Sequence, residues 1–110
     1  MANLERLRLL EEFAREEPNN PFNWYALALE TENSQPDQAL FYFRKVLKDF
    51  PEYLPVYFPS AHFFAEHELI QEAQETFESG IELAKQLKES KPLHELQNAY
   101  QNFLFENDLD

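Results

Sequence analysis

The sequence predicts an all-α protein: antiparallel helix pairs stacked as a short α-solenoid of about six helices. Three observations carry this. Apolar residues recur at intervals of three and four from Asn20 to Pro51, which fits amphipathic helices and no strand. The order of residue types then returns. Ala39 and Ala73 are 34 residues apart, as are Phe43 and Phe77, and Trp24 and Tyr57 are 33 apart; such a period marks a repeat architecture. Finally, 110 residues include one Gly, too few for turn-rich β folds or a glycine phosphate loop.

The first helix is expected over residues 3–17, with Leu4, Leu7, Leu10, Phe13 and Ala14 on one stripe and Arg6, Glu12, Arg15 and Glu16 on other faces; Pro18 ends it. Leu10 and Pro18 stand 33 residues before Phe43 and Pro51. This helix therefore reads as the second half of a hairpin whose first half is absent, its open side acting as an end cap. Asn20 can accept from a free backbone donor at the start of the second helix, and Pro21 loses nothing in the first turn. Trp24, Leu27, Ala28 and Thr31 follow at i, i+3, i+4 and i+7 and face the third helix. Tyr25, Leu29 and Glu32 lie on an adjacent stripe, about 100° round.

At the break, Ser34-Gln35-Pro36-Asp37 has the spacing of a capping box, with Asp for the usual Glu and Pro36 in the first turn. Ala39, Phe43 and Val46 face the Trp24 stripe, Leu40, Tyr42 and Leu47 reach flanking helices, and Arg44, Lys45 and Lys48 face water. Pro51 stops this helix. The fourth starts near Leu54-Pro55, and Pro59, about a turn inside, predicts a kink or a later start because it removes a donor and crowds the preceding carbonyl. Its packing stripe is Tyr57, Ser60, Ala61 and Phe64; Phe58, His62 and Ala65 form the adjacent one.

The fifth helix runs from about Ile70 to Glu89. Ile70, Ala73, Phe77, Ile81, Ala84 and Leu87 or Lys88 give the apolar face, and Glu72, Glu75, Glu78 and Glu82 the wet one. Gly80 costs about 1 kcal/mol relative to Ala in mid-helix, a loss tolerated where a neighbouring backbone comes close. Ser90 is expected to cap the sixth helix, with Pro92 in its first turn and Leu93, Leu96, Tyr100, Phe103 and Leu104 as its stripe. Asn107-Asp108-Leu109-Asp110 reads as a frayed acidic tail. The organisation is thus a single domain, 1–110: a half-repeat cap at 4–18, repeats at 21–51 and 54–89, and a capping helix at 90–107.

The net charge is −12 and uneven, with 9 acids against 6 bases in residues 1–50 and 12 against 3 in residues 51–110. The acidic half repels phosphates, which disfavours nucleic acid and anionic membrane and suits a basic or neutral protein partner. No Cys is present, which removes disulfides, thiolate zinc sites and cysteine nucleophiles together. The start, Met1-Ala2-Asn3-Leu4-Glu5-Arg6, carries charge and no apolar run, so neither a signal peptide nor a membrane span is expected and the protein is read as cytoplasmic. Aromatics are abundant, with 11 Phe, 5 Tyr and 1 Trp. Runs such as Phe41-Tyr42-Phe43, Tyr57-Phe58, Phe63-Phe64 and Phe103-Leu104-Phe105 cannot place every ring on one helix face, so some rings must meet a second surface.

Trp24-x2-Leu27-Ala28 with Ala39-x3-Phe43 and Pro51, and Tyr57-x2-Ser60-Ala61-x2-Phe64 with Ala73-x3-Phe77, resemble the tetratricopeptide repeat over residues 21–84, with 4–18 as a half repeat. The departures are Thr31 for an aromatic, Ala28 and Ala61 for glycine, Ser60 for leucine, one connection a residue short, and Lys85 where the closing proline would stand. The resemblance implies a right-handed solenoid whose first helices line a concave groove that binds a peptide or protein segment, without catalysis. Its groove residues here would be Tyr25, Leu29 and Glu32, then Phe58, His62 and Glu66, then His94, Asn98 and Gln101. The family's carboxylate-binding groove uses lysines and asparagines at such positions, so Tyr, Leu, Phe and His argue against that mode and favour an apolar or basic protein segment as the ligand. The alternative is a structural, self-associating subunit, such as a homodimer, in which the sixth helix or a second copy buries Tyr25, Leu29 and Phe58. His62 and Glu66 stand one turn apart with His67 about 100° off that face, which is not the zinc-protease pattern; no metal, cofactor or catalytic residue is expected.

Overall fold

The computed structural model describes residues 3–109. Among the described residues there are six α-helices, α1 Leu4–Glu16, α2 Pro21–Thr31, α3 Pro36–Asp49, α4 Tyr57–Glu66, α5 Ile70–Leu87 and α6 Ser90–Glu106, with a 3-10 turn at Leu54–Val56 and no strand. They group into two compact units, Met1–Val56 and Tyr57–Asp110.

In the first unit α2 packs against both α1 and α3. The hairpin of α2 and α3 closes over Leu27, Ala28, Thr31, Ala39, Phe43 and Val46, all fully buried. Ala28 and Ala39 leave room for the two helices to approach closely while Phe43 fills the space beside them. Leu7 and Ala14 of α1 join Leu27 in the same core, with Leu10, Trp24 and Tyr42 packed at its edge. The buried hydroxyl of Thr31 donates to the Leu27 carbonyl at 2.7 Å, so an alcohol stands in an apolar core without an unmet bond. Trp24 donates its indole N–H to the Pro18 carbonyl at 2.9 Å, and its ring lies 6.2 Å from that of Tyr42. Lys45, expected to face water, is instead half-buried: its Nζ sits 4.6 Å over the Trp24 ring and 3.0 Å from Asp49.

One helix start follows the sequence: the Asn20 side chain accepts from the Phe22 N–H at 3.0 Å. The first helix begins one residue later than expected, with Asn3 outside it as a cap that accepts from the Arg6 N–H at 3.1 Å. Two other starts differ more. At α3 the cap is Gln35, not Ser34, and no side chain bonds there; Pro36 occupies the first position and leaves one donor fewer to satisfy. At α6 the cap is Glu89, and Ser90 falls inside the helix.

In the second unit α5 packs against α4 and α6. Pro59 produces the later start: a 3-10 turn ends at Val56 and α4 begins at Tyr57, which leaves the proline in the first turn. Tyr57, Ser60, Ala61 and Phe64 are buried, and so is Phe63, on whose ring His67 stacks at 4.1 Å. On α5 the buried face is Ala73, Thr76, Phe77, Gly80, Leu83 and Ala84, while Leu87 is exposed. Phe77, Tyr100 and Phe103 form a three-ring cluster with centroids 5.4 to 6.2 Å apart.

Gly80 is explained by side chains rather than by backbone. A Cβ placed on it would lie 2.8 Å from Tyr57 Cβ and 3.3 Å from Leu96 Cδ1. The helix ends show the same scarcity of glycine. Glu68, Lys88 and Asp108 adopt left-handed φ of 62°, 57° and 56°. In each case the following N–H reaches back five residues, Leu69 to Phe64, Glu89 to Ala84 and Leu109 to Leu104 at 2.8 to 3.0 Å, which is the Schellman closure. Residues 107–109 are therefore a bonded helix stop and not a frayed tail; Asp110 lies outside the described residues.

Candidate functional site

Each unit presents a hollow lined in part by the groove residues expected from the sequence. In the first unit, α1 and α2 enclose about 520 Å³ lined by Arg6, Leu10, Phe22, Tyr25, Ala26, Leu29, Glu30, Asn33 and Ser34. The α2 wall follows from helical spacing, since Phe22, Tyr25 or Ala26, Leu29 and Asn33 fall on one face. The α1 wall, Arg6 and Leu10, is tied to it by an ion pair from Arg6 Nε to Glu30 Oε1 at 3.1 Å. Phe22 and Leu29 are exposed, whereas Tyr25 is half-buried with its ring edge-on to Tyr53 at 5.7 Å. Burial, then the neighbouring Tyr53 and Glu32, raises the Tyr25 phenol above its ordinary value. Glu32 acts on that phenol electrostatically without lining the hollow.

In the second unit, α4 and α6 enclose about 440 Å³ over Phe77, with Phe58, His62, Ala65 and Glu66 on one side and Ala99, Asn102, Phe103, Glu106 and Asn107 on the other. The floor is apolar and the rim carries two carboxylates. His62 Nε2 and Glu66 Oε1 are 3.3 Å apart across one turn, both mostly exposed. His67 is turned away: its Nδ1–H donates to the Phe63 carbonyl at 2.9 Å. Among the described residues no group of three or more His, Asp or Glu converges as a metal site would require. His94, Asn98 and Gln101 are exposed on α6 outside this lining. Sequence reasoning missed the opposite walls, Arg6 and Leu10 in one unit and Asn102, Glu106 and Asn107 in the other. Those depend on which helix packs beside which.

The aromatic runs resolve individually. In Phe41-Tyr42-Phe43 the last ring is core, the second packs on Trp24, and Phe41 stays 62 % exposed, edge-on to Tyr42 at 5.5 Å. Phe105 is likewise mostly open to solvent, at 74 %.

Antiparallel helix pairs with small residues on their facing stripes and a 33- to 34-residue period define a helical-repeat protein. No family model matches the chain, and no curated protein sequence does. Solved structures do. The solution NMR structure of a tetratricopeptide repeat domain protein from Salinibacter ruber is 30% identical, with a TM-score of 0.72 over 78% of this chain and 88% of that one. A crystal structure of a tetratricopeptide repeat domain protein from the same organism is 29% identical, with a TM-score of 0.71 over 76% and 96%. The chain belongs to the tetratricopeptide repeat family. That fold is in general a non-catalytic scaffold for protein–protein contacts. Among the described residues no helix is long and apolar enough to cross a membrane.

Proposed function

We propose that this protein binds a segment of another protein through the exposed faces of its first-in-hairpin helices, without catalysis. Tyr25, Leu29 and Glu32 of α2 and Phe58, His62 and Glu66 of α4 are the contact residues, with His94 and Asn98 of α6 at the margin. The observation that carries the reading is the exposure of Leu29 and Phe58, 41 % and 42 %, beside hollows with apolar floors and polar rims. An apolar anchor in a pocket ringed by polar groups is how protein interfaces concentrate their energy. The carboxylates of Glu66 and Glu106 beside the second hollow favour a segment with a basic flank.

Leu29→Ser with Phe58→Ser tests this. Both positions are exposed, so the double variant is expected to keep its helical circular dichroism and its mass by light scattering. It is expected to lose the partner that the unaltered chain captures and that a synthetic peptide of the captured segment reproduces. Retention of that peptide within twofold of its original affinity contradicts the reading. Collapse of fold or oligomer on substitution instead supports burial of these residues by a second copy.

A further inference from the structure

The second hollow differs from the first in charge. In the first, Arg6 is already paired with Glu30 at 3.1 Å, so the lining is balanced. In the second, Glu66 of α4 and Glu106 of α6 stand on opposite walls, and among the described residues no lysine or arginine lines it. His62, 3.3 Å from Glu66, offsets that carboxylate only when protonated. The backbone adds to this. Glu66 is the last residue of α4 and Glu106 the last of α6, so two helix C-termini, each with a partial negative charge, end beside the same hollow. Asn107 caps α6 by donating its side-chain N–H to the Phe103 carbonyl at 2.9 Å, which leaves its amide oxygen to accept. Beneath this rim the lining is apolar: Phe77 and Phe103 are buried, and Phe58 is 42 % exposed.

We propose that the second hollow holds the side chain of an arginine from the bound segment. The proposal rests on the protein-binding reading above and names the residue that enters this site. Carboxylates and helix ends on the rim call for a cation, and rings on the floor call for an apolar stem; a long basic side chain supplies both. Arginine meets them better than lysine. Its planar guanidinium stacks on an aromatic face such as that of Phe58 and is less strongly hydrated than an ammonium. Its five donors also suit two carboxylates and an amide oxygen gathered around one pocket. Another protein is the source, because two copies of a chain with net charge −12 repel each other. Among the described residues the one net-basic helix is α3, with Arg44, Lys45 and Lys48 against Asp37 and Asp49. That is the face by which a second copy would enter, and a mass measurement separates the two sources.

The probes are Nα-acetyl-arginine amide and its lysine, citrulline and norleucine counterparts, titrated at about 0.15 M salt and followed by amide chemical shifts. Citrulline keeps the shape of arginine without its charge, and norleucine keeps only the stem. Arginine is expected to perturb amides around Phe58, Glu66, Phe103 and Glu106. It is expected to bind about tenfold more tightly than citrulline or norleucine and about threefold more tightly than lysine. Glu66→Gln with Glu106→Gln removes both charges at exposed positions, so the helical circular dichroism is expected to stay. The arginine affinity is expected to fall about tenfold in that variant while the norleucine affinity holds within about twofold. Citrulline or norleucine binding as tightly as arginine overturns the charged anchor, and lysine binding as tightly overturns the choice of a guanidinium. Shifts spread along the exposed glutamates of α5 instead of the hollow, or no shift at all, overturn the site. Each of these outcomes leaves the protein-binding reading standing, since that is judged on the captured partner. A dimer in light scattering that Glu66→Gln with Glu106→Gln converts to monomer overturns the source in favour of a second copy.

Discussion

Substituting Gly80 by Ala sets two effects against each other with opposite signs. Helix propensity alone makes Ala the better residue by about 1 kcal/mol in a helix interior. Packing opposes it. The added methyl would lie 2.8 Å from Tyr57 Cβ, 3.1 Å from Tyr57 Cγ and 3.3 Å from Leu96 Cδ1. Tyr57 Cβ is one bond from its own backbone, so no rotamer change moves it and α4 must shift against α5. Overpacking of this kind costs about 1–3 kcal/mol. The balance is a net loss of about 1 kcal/mol, read as a lower urea midpoint with an unchanged slope. Ser79→Ala, one residue earlier and exposed, reports propensity without the clash and is expected to stabilise by about 0.5 kcal/mol. A midpoint that rises for Gly80→Ala as it does for Ser79→Ala would refute the claim that this glycine is the contact point of three helices.

Three further outcomes follow from the same structure. Lys88→Gly and Asp108→Gly each relieve a left-handed residue in a bonded helix stop, so each is expected to stabilise by about 1 kcal/mol in urea titrations; destabilisation would show that these side chains make contacts worth more than the strain. All five tyrosines, Tyr25, Tyr42, Tyr53, Tyr57 and Tyr100, have phenols raised above the ordinary value near 10, burial being the first cause in each and the Glu78 carboxylate adding to it at Tyr100. A folded value above the unfolded one gives stability that is complete below pH 10 and lost as pH rises through the folded values, so the urea midpoint should fall above pH 10 as tyrosinate absorbance grows; a midpoint constant to pH 11 contradicts this. Tyr100→Phe removes the 2.6 Å bond to Glu78 and should reduce the alkaline loss while changing neutral-pH stability by no more than about 1 kcal/mol.

The hairpins were legible because their stripes are regular. Trp24, Leu27, Ala28 and Thr31 against Ala39, Phe43 and Val46 state which faces meet, and Pro18, Pro36, Pro51 and Pro59 punctuate them. Cap residues were less legible, for a specific reason at α6: the Glu89 N–H already closes α5 on the Ala84 carbonyl, so Glu89 ends one helix and begins the next, pushing Ser90 inside. The reason for Gly80 could not be read from α5 alone, because it lies on α4 and α6. The same holds for the hollows. One wall of each, Leu29 or Phe58, stands out as an apolar residue off the packing stripe, while the other is defined only by the helix that comes alongside.

Hydrogen–deuterium exchange of the chain with and without its captured partner segment tests the binding claim most directly. The account predicts slowed exchange in peptides covering 21–33 and 57–66. Protection confined to 36–49 and 70–87, the second helices of the two hairpins, would contradict it.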